Sequence, residues 1–353
     1  MITIQPMLFL LRKSGIIALA IAALLAASVL SGCVEKPTVK TTVDTTPTST
    51  APPYKRQAIS FFRGIDEPRP DAWEDLVLDR GRLKDDGFNT VTLSPPVLIT
   101  QRAGGKPRII LEGAAGSVPG LADEMHNAGF GVFIAPTTAA AGYQTAIEVT
   151  DSTLTQLTED VKRWAQTAEE HQAELFSPLA DYNLALGTAN ANKWSAQILP
   201  LVRQKFNGSL VAVVRPDLSD ATPAPGTPHD FENLDFKGYD YLMLDIYPRG
   251  ATHDAARLAT EVDSLLTHAE IVRARDGLKG IMIETGSWRE QVGTDTVDGP
   301  LLGDDGQAEA TSRILQVALP RVQGFFWHGW NLPGRGAKRF KVEQVLQKSF
   351  TGT

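Results

Sequence analysis

The sequence has little of several features that would point to particular chemistries. Its 353 residues include one cysteine and six histidines, so an internal disulfide is excluded. No pair of histidines has the helical spacing of a zinc motif, and we expect no metal and no cofactor. The nucleophile motif Gly-x-Ser-x-Gly is absent, which argues against a Ser-His-Asp hydrolase. With 34 Lys and Arg against 41 Asp and Glu, and no basic stripe, the chain is not expected to bind nucleic acid.

The first 32 residues indicate export. Arg12 and Lys13 precede an uncharged run, residues 14–34, that is rich in Ala, Leu and Ile. A basic stretch followed by an apolar one is typical of a signal peptide. The run closes on Leu-Ser-Gly-Cys at Cys33, which resembles the lipobox of prokaryotic lipoproteins and implies a lipid on that cysteine. An uncleaved membrane anchor is the alternative, because the run is long enough to span a membrane.

In either case the basic residues stay inside. We therefore expect a protein anchored to the cell membrane, with its folded part on the extracytoplasmic face. Residues 33–55 are rich in Thr and Pro and have too few apolar residues to pack, so they predict an extended tether. Residues 56–353 show no seam between domains and are expected to form one domain.

From residue 56 onward, apolar runs of strand length alternate with longer helical patterns. This α/β order over some 300 residues predicts a (β/α)8 barrel of the TIM type. A doubly wound open sheet would normally place a Gly-rich phosphate loop after its first strand, and residues 63–68 do not form one. The predicted strands are residues 58–62, 87–93, 129–136, 173–178, 208–214, 239–247, a run ending at Glu284, and 322–328.

In such a barrel the chemistry lies at the carboxyl ends of the strands. Glu284 stands where a buried apolar run ends, and Asp181 follows the fourth run, so these two are the candidate catalytic carboxylates. Carboxylates flanked by aromatic rings suit sugars, whose apolar faces stack on rings while their hydroxyl groups need polar partners. For a single tryptophan, capping the barrel core is the simpler explanation, but Trp288 joins Trp327 and Trp330 at the same end. The candidate substrate-binding residues are Arg63, Asn183, Asp245, Tyr247, Trp288, Trp327, His328 and Trp330.

With these residues the domain resembles the retaining glycosidases built on a (β/α)8 barrel, a clan that includes β-mannanases and cellulases. Only the segment Ile283-Glu284-Thr285-Gly286 is a specific match; the rest of the resemblance is strand order. It implies that Glu284 is the nucleophile, supported by Tyr247, and that Trp327 ends the eighth strand. The implied substrate is a polysaccharide or oligosaccharide, cleaved with two carboxylates.

Two departures from that pattern bear on activity. The clan has Asn-Glu at the end of the fourth strand, where this chain has Ala180-Asp181. Aspartate is one methylene shorter, and retaining enzymes hold their carboxyl groups only about 5 to 5.5 Å apart. The arginine often found near the nucleophile is also missing, with Thr92 and Ser94 in its strand. The alternatives are therefore a degenerate barrel that binds glycans or serves at the cell surface, or other chemistry at the same strand ends.

Overall fold

The computed structural model describes residues 54–69, 72–100, 108–110, 117–138, 149–216, 230–247, 254–287, 289–290 and 301–352. The predicted signal peptide with Cys33, nearly all of the predicted tether, and Trp288 lie outside these residues. Within the described ranges, no helix combines the length and the apolar character needed to cross a membrane.

Eight parallel strands form a closed barrel, so the predicted (β/α)8 fold is confirmed. The ring follows chain order as β1, β2, β5, β7, β8, β9, β10 and β11, and β11 pairs with β1 to close it. The strands along the chain are β1 (Phe62–Asp66), β2 (Thr90–Leu93), β3 (Pro96–Thr100), β4 (Arg108–Ile110), β5 (Gly131–Ile134), β6 (Thr137–Thr138), β7 (Leu175–Phe176), β8 (Ser209–Val214), β9 (Tyr241–Ile246), β10 (Gly280–Thr285) and β11 (Gly324–His328).

Helices alternate with the barrel strands, as the periodicity predicts. They are α1 (Trp73–Leu78), α2 (Arg80–Asp85), α3 (Val118–Asn127), α4 (Asp151–Glu170), α5 (Tyr182–Leu186), α6 (Thr188–Arg203), α7 (Ala255–Asp276), α8 (Gly303–Ala318) and α9 (Lys341–Thr351). A 3-10 turn, Asp230–Asn233, precedes β9. The long α4 begins at Thr150, whose hydroxyl accepts a hydrogen bond from the Thr153 amide, as expected of a capping residue.

The core has two parts, because successive side chains of a strand point to opposite faces. Inside the barrel, Phe62, Phe133, Met243, Met282 and Phe326 belong to one apolar cluster. The other face of each strand packs against the helices in a larger cluster. This alternation decides which residue at each strand end reaches the mouth of the barrel.

Two local features differ from the sequence prediction. The first strand lies four residues later than residues 58–62, at Phe62–Asp66, so Asp66 rather than Arg63 is at its carboxyl end. The first predicted helix is broken at Asp79 into two six-residue helices. Between the second and third barrel strands, β3 and β4 form an antiparallel pair outside the barrel.

The segment before β1 is fastened across the amino-terminal end of the barrel. The Gln57 amide donates to Glu174 at 3.0 Å, and the Arg56 side chain donates to the Ala173 carbonyl at 2.7 Å. Glu174, which directly precedes β7, is buried and also accepts from the Val132 amide at 2.6 Å. The chain therefore enters the barrel at the end opposite to Glu284.

Candidate active site

Glu284 is the fifth residue of β10 and faces the barrel interior near its carboxyl end. Its Oε1 accepts a hydrogen bond from the Tyr247 hydroxyl at 2.9 Å and lies 2.9 Å from Nδ1 of His328. The residue is buried, with 7% of its surface exposed. A carboxylate in this position is held by two donors from the strands on either side of it.

The same His328 nitrogen also contacts a second carboxylate. Nδ1 lies 3.0 Å from Oδ2 of Asp66, the last residue of β1. The other Asp66 oxygen accepts from the Ser94 hydroxyl at 3.1 Å. Because Nδ1 meets an acceptor on both sides, the nitrogen carries a hydrogen. Asp66, His328 and Glu284 thus form a carboxylate–imidazole–carboxylate group, which we call the β1–β11–β10 triad.

These neighbours change the protonation of the triad. Burial and the Asp66 carboxylate raise the pKa of Glu284, while the hydrogen bonds from His328 and Tyr247 oppose the rise. Burial acts to lower the pKa of His328, but the hydrogen bonds to Asp66 and Glu284 outweigh it and raise the pKa to about 9. With a pKa of about 9, His328 keeps its proton at neutral pH and is a partly buried cation between Asp66 and Glu284.

Next to the triad, Arg215 joins two further carboxylates. Its Nη2 lies 2.6 Å from Oδ2 of Asp181 and 2.7 Å from Oδ2 of Asp245. Asp245 is in register with Glu284 on the neighbouring strand, so both side chains face the interior at the same level. The structure thus brings Asp181, Asp245 and Glu284 into one connected network at the mouth of the barrel.

The Arg215 contacts also set the charges there. Burial raises the pKa of the Asp245 carboxyl well above its usual range, against the opposing effect of the Arg215 cation. The nearby Asp181 and Glu284 carboxylates add to that rise. Arg215 contacts Asp181 and Asp245, and His328 contacts Asp66 and Glu284. Each of the two cations therefore pairs with two of the four carboxyl groups.

Asp181 reaches this network through an unusual backbone. Its φ of 54° lies in the left-handed region, which aspartate tolerates better than most residues. Its amide donates to the Val213 carbonyl on β8 at 3.0 Å. Asp181 lies five residues past the two-residue β7, so a loop residue rather than a strand residue supplies the carboxylate.

Tyr247 and Asn183 occupy supporting positions. The Tyr247 ring lies under the Arg215 guanidinium, 4.7 Å from its carbon to the ring centroid, and edge-on to His328. Asn183 exchanges hydrogen bonds with the backbone of Arg215, at 2.9 and 3.1 Å. Tyr247 therefore orients Glu284, and Asn183 fixes the segment that carries Arg215 rather than facing a substrate.

Three candidate substrate-binding residues are placed elsewhere. The Arg63 side chain donates to the Gly87 carbonyl at 2.7 Å, away from the triad. Trp327 belongs to the core between strands and helices, because it is one residue before the inward-facing His328. Trp330 is fully buried, and its indole donates to Asp79 at 2.7 Å. Of the tyrosine and tryptophan residues predicted to flank the carboxylates, only Tyr247 does so among the described residues.

Asp66 and Arg215 were not among the site residues predicted from the sequence. Both share the inward face of their strands with core residues, Asp66 with Phe62 on β1 and Arg215 with Val213 on β8. Counting in twos from an inward apolar residue would have found them. Asp66 was missed because the first strand was predicted four residues too early.

The triad also bears on the expectation of no metal. One nitrogen of His328 and one oxygen each of Asp66 and Glu284 lie within 4.8 Å of one another, a spacing that a metal ion could bridge. In this structure, however, the nitrogen is at hydrogen-bonding distance from both oxygens, and a hydrogen shared between them accounts for the spacing.

Comparisons with known proteins extend the fold assignment. No protein family and no curated protein matches the sequence. Among solved structures, a GH113 β-1,4-mannanase in complex matches with a TM-score of 0.64 at 13% identity, covering 84% of this chain and 100% of that one. The GH113 β-mannanase AaManA of Alicyclobacillus acidocaldarius gives 0.62 at 15%, covering 83% and 98%. The GH53 catalytic domain of Ignisphaera aggregans gives 0.52 at 16%, covering 84% and 98%. At these identities the likeness establishes a shared barrel fold.

Proposed function

We propose that this protein is a carbohydrate-active hydrolase of the barrel glycosidase type, with Glu284 as its nucleophile. One observation supports this above the others: a buried carboxylate at the end of the seventh barrel strand receives hydrogen bonds from Tyr247 and His328. The fold shared with β-mannanases is consistent with a glycan substrate. The glutamate, its tyrosine and the strand position also agree with the resemblance drawn from the sequence.

The proposed reaction is a double displacement. An oxygen of Glu284 attacks the anomeric carbon, the glycosidic bond breaks, and Asp181 gives its proton to the departing oxygen. Water then attacks the anomeric carbon and gives a proton to Asp181, and the bond to Glu284 breaks to restore its carboxylate. Configuration at the anomeric carbon is retained, because two inversions occur.

A second candidate function is glycan binding without cleavage. The observation that favours it is the ion pair of 2.6 Å between Asp181 and Arg215, since a carboxylate held by a guanidinium must first gain a proton to act as an acid. Aspartate is also shorter than the glutamate that the clan uses at this position. On this hypothesis the same cleft holds a sugar chain, and no bond is broken.

The test is a hydrolysis screen of the whole chain on mannans, glucans and galactans, comparing wild type with Glu284→Gln. We expect the variant to lose activity by roughly 10³-fold or more while it remains folded. Glu309→Gln, an exposed residue of α8, is the matched control and should leave turnover unchanged. Proton NMR of the first product should show retained configuration.

The outcomes separate the two candidates. Hydrolysis that persists in Glu284→Gln would remove this residue from the mechanism. In affinity electrophoresis, a wild-type protein that is retarded by a polysaccharide in the gel but does not hydrolyse it would support the binding function. If the wild type neither binds nor hydrolyses any polysaccharide of the panel, both candidate functions are contradicted.

We also propose that the chain is exported and anchored through a lipid on Cys33. The support is in the sequence alone, where a basic stretch, an apolar run and a lipobox-like tetrapeptide stand in order. Expression in a bacterial host should give a membrane-associated protein whose mature N-terminus is a diacylated Cys33 by mass spectrometry. A Cys33→Ser chain should lack that modification, and an unmodified cysteine in the wild type would contradict the proposal.

A further inference from the structure

We infer that Asp66 and His328 form a positioning pair for Glu284, in which Asp66 orients the imidazole and His328 provides the cation that offsets the Glu284 carboxylate. This deepens the proposed function and rests on it for its catalytic meaning. The pair itself, however, can be measured without any substrate. Asp66 is not part of the site that the sequence predicted, and the resemblance to barrel glycosidases does not imply it.

The geometry gives His328 one arrangement. Its Nδ1 lies 3.0 Å from Asp66 and 2.9 Å from Glu284, so a single N–H is shared between two acceptors. The Ser94 hydroxyl holds the far oxygen of Asp66 at 3.1 Å. The Tyr247 ring packs edge-on against the imidazole, with 4.9 Å between ring centroids. Groups from or just after four other strands therefore restrict the rotation of the His328 side chain.

The charges explain why Glu284 needs this partner. Asp245 stands beside it in register on β9, and Asp66 approaches from the other side. The nearby Arg215 is shared between Asp181 and Asp245, and Arg335 lies 5.1 Å over the Tyr247 ring. A buried carboxylate among other carboxylates tends to take up a proton, and a protonated Glu284 would be a poor nucleophile. His328 supplies a cation in direct contact with Glu284, with its Nδ1 at 2.9 Å.

The pair also accounts for the missing arginine. The resemblance to barrel glycosidases places an arginine near the nucleophile, on the second strand, where this chain has Thr92. Here the cation comes from β11, which flanks β1 on the side away from β2. An imidazolium can replace a guanidinium as a counter-ion only while it keeps its proton, and Asp66 supplies the second negative charge that stabilises the proton.

The experiment follows the six imidazoles of the full-length protein in detergent by NMR, with 15N-labelled histidine, between pH 5 and 10. His328→Gln assigns the resonance by its disappearance. In wild type, we expect His328 to keep its proton up to a pH of about 9. In Asp66→Asn, its titration should move down by roughly one unit or more, because one of its two carboxylate partners is lost.

The matched control is Asp123→Asn, since Asp123 pairs with His171 at 2.8 Å on the surface. It should leave the His328 titration unchanged. A His328 that titrates below pH 7 in wild type, or at the same pH in wild type and Asp66→Asn, would overturn the pair. Thermal melts of each variant show whether a change reflects loss of folding.

A second measurement tests the catalytic meaning on whichever polysaccharide the screen identifies. Asp66→Asn should lower kcat with little change in KM, and should move the alkaline limb of the rate profile to lower pH. Asp66→Glu should recover part of the rate. If Asp66→Asn shifts the His328 titration but not the pH profile of the rate, the pair exists but has no role in turnover. An absence of hydrolysis in wild type would instead count against the proposed function, and leave the NMR result standing.

Discussion

At the scale of single residues, the position of a side chain along its strand decides whether it belongs to the site. His328 faces the interior and meets Glu284, whereas Trp327, one residue earlier, faces the helices. A one-residue displacement moves a side chain to the other face of the sheet. Glu284, Tyr247 and His328, three of the predicted site residues, contact one another in the structure. The sequence could not separate them from Trp327 without knowing the register.

Tyr247→Phe tests the support that Glu284 receives from the sixth strand. The phenol donates to Glu284 at 2.9 Å inside a buried site, and hydrogen bonds to charged groups contribute about 1.5 to 3 kcal/mol. We expect kcat to fall by roughly 10- to 100-fold, with the fold unchanged by circular dichroism.

Tyr239→Phe is the control for this change. Tyr239 is also a buried tyrosine, but its hydroxyl accepts from Ser195 at 3.2 Å in the outer layer. Its removal should affect stability and not the rate of the folded protein. Equal losses of kcat in both variants would show that the Tyr247 hydroxyl has no special part in turnover.

At the scale of elements, the sequence predicted all eight barrel strands, because buried parallel strands are short continuous apolar runs. The ends were less accurate. The first strand lies four residues later than predicted, since Gly64 gave the segment the look of a turn. In the structure Gly64 is inside the barrel, where a Cβ at this position would overlap the ring of Phe326. Such a glycine is a packing requirement that local sequence does not reveal.

Gly64→Ala tests that interpretation. The added methyl group must displace Phe326, which packs edge-on against Phe133 at 5.9 Å, and overpacked cores lose about 1 to 3 kcal/mol. We expect a corresponding drop in the free energy of unfolding, measured by chemical denaturation. Gly81→Ala, in α2 with nothing within 4 Å of an added Cβ, should be neutral or stabilising by up to about 1 kcal/mol. A Gly64→Ala protein as stable as wild type would contradict the close packing.

At the scale of the whole molecule, the last helix closes the ring against the first. Glu343 of α9 accepts from the Arg82 side chain of α2 at 2.7 Å and from the Arg339 amide at 2.5 Å. Asp86, just after α2, is buried beside it. Burial and the hydrogen bond with Glu343 raise the pKa of Asp86 to about 7. This closure depends on residues some 260 positions apart, and no local pattern predicts such a pair.

The raised pKa of Asp86 beside Glu343 makes the stability of the protein depend on pH. The unfolded Asp86 has a pKa near 4, so between about pH 4 and 7 the folded state binds the proton more tightly than the unfolded state does. The contribution of Asp86 to stability therefore falls as pH rises through that window. Relative to wild type, Asp86→Asn should gain roughly 1 to 3 °C in melting temperature from pH 5 to pH 8, as measured by calorimetry. A constant difference between the two proteins across that range would rule out titration of Asp86 there.

The fastening of the chain at Glu174 separates the point where the chain enters the barrel from the candidate active site. Residues 54–57 are held to the amino-terminal end of the barrel, and Glu284 opens at the other. Residues 54–57 therefore take no part in the mouth of the barrel, and a ligand that approaches the carboxylates does not have to displace this segment.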